Sequence, residues 1–149
     1  MVTSGAVYNK IKTFSTFTKY VATVPYLLLF DITNWWNATS SNPVNPIYIV
    51  GTVLLNRRGG WTQVDVAELG LQVSYYPLNI QSYANSLGSK IYCRNLANVI
   101  KAGIVEYNNR YYLALKNFQD GVDIDFIGRM SGTPLLTEVA SATEIYMTA

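Results

Sequence analysis

The feature that most constrains the fold is an alternation of apolar and polar residues with a period of two, which runs from about Thr18 to the end of the chain. Val64 and Val66, for example, alternate with Gln63 and Asp65. Such alternation puts successive side chains on opposite faces of a β-strand. Turn residues separate roughly eight to ten short runs of this kind, and no long helical pattern follows residue 18. The sequence predicts an all-β domain, an antiparallel β-sandwich or a jelly roll, which the period alone does not distinguish.

The clearest single element is a hairpin turn at Asn108 and Asn109. These two residues separate two strand-like runs, 104–107 and 110–113. Asparagine tolerates the left-handed conformation that a two-residue type I′ turn needs at both positions. The sequence therefore predicts a tight hairpin here, with Tyr107 opposite Arg110.

Part of the surface is expected to contact other subunits. Only 13% of the residues are charged, about half the usual share for a soluble domain. Two runs, 26–32 and 47–55, are apolar on both faces, whereas the strands of a lone sandwich need one apolar face. Gly51 lies in the second run and is a candidate β-bulge. A surface rich in Ser, Thr, Asn and Tyr is the alternative explanation for the low charge.

The first residues have a different pattern. Ser4 is placed to cap a short helix in which Val7 and Ile11 share one face. A helix of this length is not stable alone, so we expect it either as the remnant of a helical stalk or packed on the domain. The predicted organisation is a neck segment at 1–17 and a head domain at 18–149.

The same residues carry a resemblance. The string Val2-Thr-Ser-Gly-Ala-Val-Tyr8, with the short helix after it, resembles a segment of bacteriophage tail fibre and tail appendage proteins. There, Pro-Val-Thr-Ser-Gly-Ala-Val-Tyr leads into the C-terminal receptor-binding head. Met1 stands where that family usually has Pro, which indicates a piece of a longer chain. The resemblance implies a homotrimer at the distal end of the virion tail, with a host surface glycan or protein and other tail proteins as partners.

The candidate ligand-binding residues are Trp35, Trp36 and Asn37. They follow an apolar run and precede a segment rich in Ser, Asn and Pro. In a strand, two adjacent Trp side chains would point to opposite faces, so one would be exposed and able to stack on a sugar. The alternative is that one Trp lies in the core and the other packs between subunits. Because the helix at 4–11 marks the stalk end, we expect the loop at 35–46 at the opposite, distal end.

Several other functions lack a sequence signature. The chain has no His and a single cysteine, Cys93, so no metal site, cofactor or catalytic residue is expected. Asp123 and Asp125 could hold calcium or act as an acid–base pair, but their apolar neighbours indicate that both carboxylates are solvated. The scattered basic residues do not form a nucleic-acid-binding stripe, and the apolar runs are too short for membrane insertion.

The sequence is compatible with three functions to different degrees. The first is a trimeric host-adhesion head, and the second is a structural tail or baseplate component without receptor binding. The third, a glycan depolymerase, is disfavoured because the catalytic residue types are scarce. The sequence does not distinguish the first two.

Overall fold

The computed structural model describes residues 15–22, 24–36, 46–57, 63–73, 89–118 and 121–148, and these form two packed antiparallel β-sheets. The elements are β1 (Ser15–Val21), β2 (Tyr26–Asp31), α1 (Thr33–Trp36), β3 (Ile47–Arg57), β4 (Gln63–Val73), β5 (Ser89–Asn95), β6 (Ile100–Tyr107), β7 (Arg110–Asn117), β8 (Val122–Met130), β9 (Thr137–Val139) and β10 (Thr143–Met147). The predicted all-β sandwich is confirmed. No helix among the described residues has the length and hydrophobicity of a membrane span.

Each sheet contains five strands. The first sheet has the order β1-β8-β3-β4-β5 and the second has the order β10-β6-β7-β2-β9. Within the first sheet, β3, β4 and β5 form a meander, and β8 returns to lie beside β3. This order is that of a Greek key.

The core lies between the two sheets and is built from the inward side chains of the alternating strands. In β8, Val122, Ile124 and Phe126 are buried while the residues between them are half-buried. The Phe126 ring stacks on Phe17 of β1, with ring centroids 5.2 Å apart. In β8 the period of two seen in the sequence is therefore the period of burial. At the start of β4 the period holds but the faces are reversed, because Val64 and Val66 are exposed while Asp65 is buried.

Gly51 does not form the expected β-bulge, because the ladders of β3 with β4 and β8 run through it without a register shift. It faces Gly128 across the β3–β8 ladder. A Cβ atom on Gly51 would lie 2.8 Å from the ring of Phe126 and 2.8 Å from the Cα atom of Gly128. Glycine is needed here because a ring and a neighbouring backbone approach closely.

The hairpin predicted at Asn108 and Asn109 is confirmed. Their φ angles are 50° and 62°, so both residues adopt the left-handed conformation of a type I′ turn. Tyr107 pairs with Arg110, and the ladder continues to Ile100 and Asn117.

The apolar run at 26–32 is buried on both faces within a single subunit. Leu27 and Leu29 enter the main core, whereas Tyr26 and Leu28 belong to a second cluster on the outer face of the second sheet. Val139 of β9 packs in this second cluster. The chain therefore covers this face itself, and the double-sided pattern of β2 does not require another subunit.

The Tyr26 hydroxyl completes this second cluster. It donates a hydrogen bond of 2.7 Å to Glu144, which also pairs with Lys116. Burial, reinforced by Glu144, raises the pKa of Tyr26 to about 12. The hydroxyl therefore stays protonated and keeps its hydrogen bond at all moderate pH values.

The first strand begins earlier than the expected neck–head boundary. β1 starts at Ser15, and Phe17 lies in the core, so residues 15–17 are part of the sandwich. The helix expected at 4–11 lies outside the described residues.

Candidate ligand-binding surface

A polar corner at the end of β2 positions the two tryptophans. The Asp31 carboxylate accepts hydrogen bonds from the backbone N–H and the hydroxyl of Thr33, at 2.9 Å and 2.6 Å. The Thr33 hydroxyl in turn accepts the backbone N–H of Tyr111 at 3.0 Å. These bonds fix the start of α1 against the beginning of β7.

Asp31 also forms an ion pair with Arg110, with 2.5 Å between Nε and Oδ2. Burial alone would raise the pKa of Asp31, but the hydrogen bonds from Arg110 and Thr33 outweigh it and hold this pKa below its ordinary value. Asp31 is therefore a carboxylate at neutral pH, and it accepts the hydrogen bonds from both Thr33 and Arg110.

The tryptophans lie in a short helix and not in a strand, so the expectation that they point to opposite faces is wrong. Successive residues of an α-helix are about 100° apart, and both side chains are half-buried against the core. The Trp36 ring stacks on Tyr111, with centroids 4.1 Å apart and planes 12° apart. Trp36 therefore helps to fasten α1 to the sandwich.

Trp35 lines a surface depression of about 330 Å³. The described residues around it are Phe30, Trp35, Pro46, Ile47, Ser131, Gly132 and Thr133. None of them is charged, and they include two aromatic side chains and two hydroxyls. A depression of this kind suits an uncharged ligand with apolar and hydroxyl surfaces. The third predicted site residue, Asn37, lies outside the described residues.

A second depression, of about 370 Å³, lies on the other side of the same loop. The described residues around it are Ser15, Thr16, Met130, Ser131, Gly132, Thr133 and Pro134. Trp35 and Ser15 therefore flank one segment, 131–133, at the same end of the sandwich. The helix at 4–11, opposite which the tryptophan loop was expected, lies outside the described residues, but Trp35 lies at the same end of the sandwich as the start of β1.

The loop that divides the two depressions was not among the predicted site residues. It is held by Ser131, whose hydroxyl accepts the Tyr48 N–H at 2.9 Å and whose N–H donates to the Tyr48 carbonyl at 3.0 Å. The only sequence signal was the Ser131-Gly132 turn. Nothing in that signal places the turn beside Trp35, because the two are brought together by the sheet topology.

The two candidate carboxylates of β8 face away from the core, as the alternation of that strand predicts. Asp123 and Asp125 lie on the outer face of the first sheet, where both are half-buried, and their neighbours Val122 and Ile124 are in the core. The described residues contain no group of three or more His, Cys, Asp or Glu side chains arranged to hold a metal ion.

No protein-family model, no curated protein and no solved structure matches this chain. What the fold and the surface define is a class: an antiparallel β-sandwich with an uncharged, aromatic and hydroxyl-lined depression at one end.

Proposed function

We propose that this chain is a host-adhesion domain of a bacteriophage tail fibre, which binds a glycan or protein on the bacterial surface and acts by binding rather than by catalysis. The proposal rests on the resemblance of residues 2–11 to the segment that precedes tail fibre heads. The antiparallel β-sandwich is the kind of domain that this resemblance implies. A homotrimer in the distal tail of the virion is part of the same proposal.

The observation that carries the binding role is the depression beside Trp35. An exposed part of an indole ring offers an apolar surface on which the C–H face of a sugar can stack. Ser131 and Thr133 also line the depression. The Ser131 hydroxyl is bonded to the Tyr48 backbone, so the exposed Thr133 is the residue whose hydroxyl can exchange hydrogen bonds with sugar hydroxyls. Because no described lining residue is charged, we propose a neutral glycan as the ligand.

The location of the depression determines which part of the head would contact the host cell. The depression lies at the same end as Ser15, so a stalk entering at β1 would stand beside it. The proposed contact is therefore on the flank of the head near its neck, and not at the tip.

A glycan array followed by titration of the best glycan tests the proposal. Trp35→Ala is expected to weaken binding by at least ~10-fold, which corresponds to about 1.4 kcal/mol, and Trp35→Phe is expected to retain part of the affinity. Because Trp35 also packs on the core, its removal can destabilise the fold as well as the binding surface. Thr133→Ala, at an exposed position, is therefore a second variant. Thr137→Ala, exposed in β9, is the matched control and should bind as the wild type does.

The structural alternative predicts a different result. A virion component without receptor binding would give no glycan or cell binding with any variant, although it would still assemble with other tail proteins. Cleavage of a host polysaccharide by the purified protein would contradict both proposals.

A further inference from the structure

The two depressions at the Trp35 end of the sandwich share one wall. Segment 131–133 lines both the depression beside Trp35, of about 330 Å³, and the depression beside Ser15, of about 370 Å³. Each volume alone is near the lower limit of the range typical of ligand sites, about 300–1,000 Å³. A ligand that filled both depressions would have to pass over segment 131–133, so the properties of this segment decide whether the two can act together.

Segment 131–133 is held in place on both sides. On one side, the N–H of Ser131 donates to the Tyr48 carbonyl at 3.0 Å, and the Ser131 hydroxyl accepts the Tyr48 N–H at 2.9 Å. On the other side, the N–H of Leu135 donates to the Leu29 carbonyl at 2.8 Å. The segment is therefore tied to the first sheet and to the second. A wall that is fixed before the ligand arrives lowers the entropic cost of binding.

Gly132 leaves the middle of this wall without a side chain. A Cβ atom built there would meet nothing within 4 Å, so packing does not require glycine. The backbone does not require it either, because Gly121 is the one described glycine with a positive φ, and Gly132 lies outside the left-handed region. A ligand that passes close to the backbone does account for a glycine here, since close approach is one of the uses of this residue.

The two depressions differ in chemistry but share an absence of charge among their described residues. Beside Trp35 the walls are mainly apolar and include Phe30 and Ile47. The other depression has the hydroxyls of Ser15 and of the exposed Thr16. Sugar units have an apolar C–H face and a rim of hydroxyl groups, so an indole ring can stack on one unit while hydroxyls bond to the next. The pair of depressions therefore matches a chain of neutral sugars.

An uncharged peptide is the other polymer to consider. Peptides that bind in an extended form are held chiefly by a row of main-chain hydrogen bonds to the edge of a sheet. Segment 131–133 is not a strand, so such a row does not run across the shared wall. The wall therefore favours an oligosaccharide, which bonds through its hydroxyl groups.

We propose that the two depressions are adjoining subsites for one neutral oligosaccharide of at least two sugar units, which crosses segment 131–133 at Gly132. The inference rests on the proposed glycan binding and specifies the length and path of the ligand. The subsite beside Trp35 supplies most of the affinity by stacking. The subsite beside Ser15 adds hydrogen bonds, with Thr16 as one of the partners.

Affinity as a function of chain length tests the inference. The probes are homo-oligomers of glucose, galactose, mannose, rhamnose and N-acetylglucosamine, from one to about six units, together with uncharged peptides of similar length. In a series that binds, the wild type is expected to bind the short oligomers at least ~10-fold more tightly than the single sugar. Further units should add little, because they extend beyond both subsites.

Two variants separate the subsites. Gly132→Leu places a side chain between the depressions and is expected to abolish the gain with chain length, while the single sugar binds as it does to the wild type. Thr16→Val removes a hydroxyl but keeps the β-branched shape, and it is expected to weaken the oligomers by about 3- to 10-fold. Thr18→Val is the matched control, because Thr18 is exposed in the same strand but lines neither depression. Thermal unfolding establishes that each variant is folded.

Three results would overturn the inference. The first is a single sugar that binds as tightly as its oligomers, which would leave the adhesion proposal intact. The second is a preference for oligomers that neither Gly132→Leu nor Thr16→Val changes, in which case the chain follows another path. The third is binding of the peptides but of no saccharide, which would assign the surface to a protein ligand. If no probe binds at all, the neutral-glycan proposal fails together with this inference.

Discussion

Asn95 is predicted to hold together the connection between the two sheets. It ends β5, and its side chain accepts the Val99 N–H at 2.6 Å and donates to the Ile100 carbonyl at 2.8 Å. Val99 and Ile100 are 4% and 1% exposed, so water cannot replace these bonds without opening the connection. Removal of the side chain therefore leaves a buried donor and a buried acceptor without their main partner.

The expected loss for Asn95→Ala follows from these two bonds. A buried polar group that loses its partner costs about 1–3 kcal/mol. The Ile100 carbonyl retains a weak contact of 3.8 Å with the Cys93 thiol, so the lower part of the range applies to it. We expect the free energy of unfolding to fall by about 2–4 kcal/mol in total. For a chain of this size that lowers Tm by about 4–16 °C.

Urea unfolding at neutral pH, followed by tryptophan fluorescence, measures this difference. Asn98→Gly is the control, because Asn98 lies in the same turn with a φ of 53°, a conformation that glycine adopts without strain. The reasoning is refuted if Asn95→Ala is within about 0.5 kcal/mol of the wild type, or if Asn98→Gly loses as much.

Three further predictions concern other parts of the sandwich. Gly128→Ala should lower stability by about 1–3 kcal/mol, because its Cβ atom would lie 2.7 Å from the Gly51 Cα atom, whereas Gly132→Ala should be neutral because nothing lies within 4 Å; equal Tm values would contradict this. The folded pKa of Asp31 is lowered, so the stability that it contributes is present above about pH 4 and is lost as pH falls through the folded pKa. The stability difference between wild type and Asp31→Asn should therefore shrink from pH 7 to pH 3, and a constant difference would be evidence against the ion pair. Burial, reinforced by Asp65, raises the pKa of Cys93 to about 11, so a disulfide reagent at pH 8 should react on the order of 100-fold more slowly with folded than with urea-unfolded protein.

Local patterns in the sequence predicted the strands and the hairpin because the physics behind them is local. Alternation indicates which side of a strand enters the core, and the requirement for φ > 0 fixes the turn at Asn108 and Asn109. The exception is the start of β4, where Asp65 is buried and accepts the Ala97 N–H while Val64 and Val66 face outward. The short helix at Thr33–Trp36 was not predicted, because it has only four residues and makes about one turn. A single turn leaves no periodic signal.

The candidate site was predicted only in part, because it is assembled by long-range pairing. Trp35 was identified from its residue type, but Ser131 is nearly a hundred positions away in the sequence. The two meet because β3 pairs with β8 and Ser131 follows β8. Strand order is not encoded in any short pattern, and for the same reason the sequence did not show that Trp35 lies at the same end of the sandwich as Ser15.

The strand order also has a consequence for how the chain folds. β1 pairs with β8 from Ser15–Gly128 to Val21–Val122, so more than half of the polypeptide separates the two strands. The β6–β7 hairpin and the β3–β4 ladder, by contrast, close short loops, which takes microseconds. Because closing a long loop costs entropy before any contact is gained, all-β domains of this kind fold in milliseconds to seconds. During synthesis on the ribosome, Phe17 cannot pack against Phe126 until Phe126 has emerged. The apolar side chains of β1 are exposed to chaperones until then.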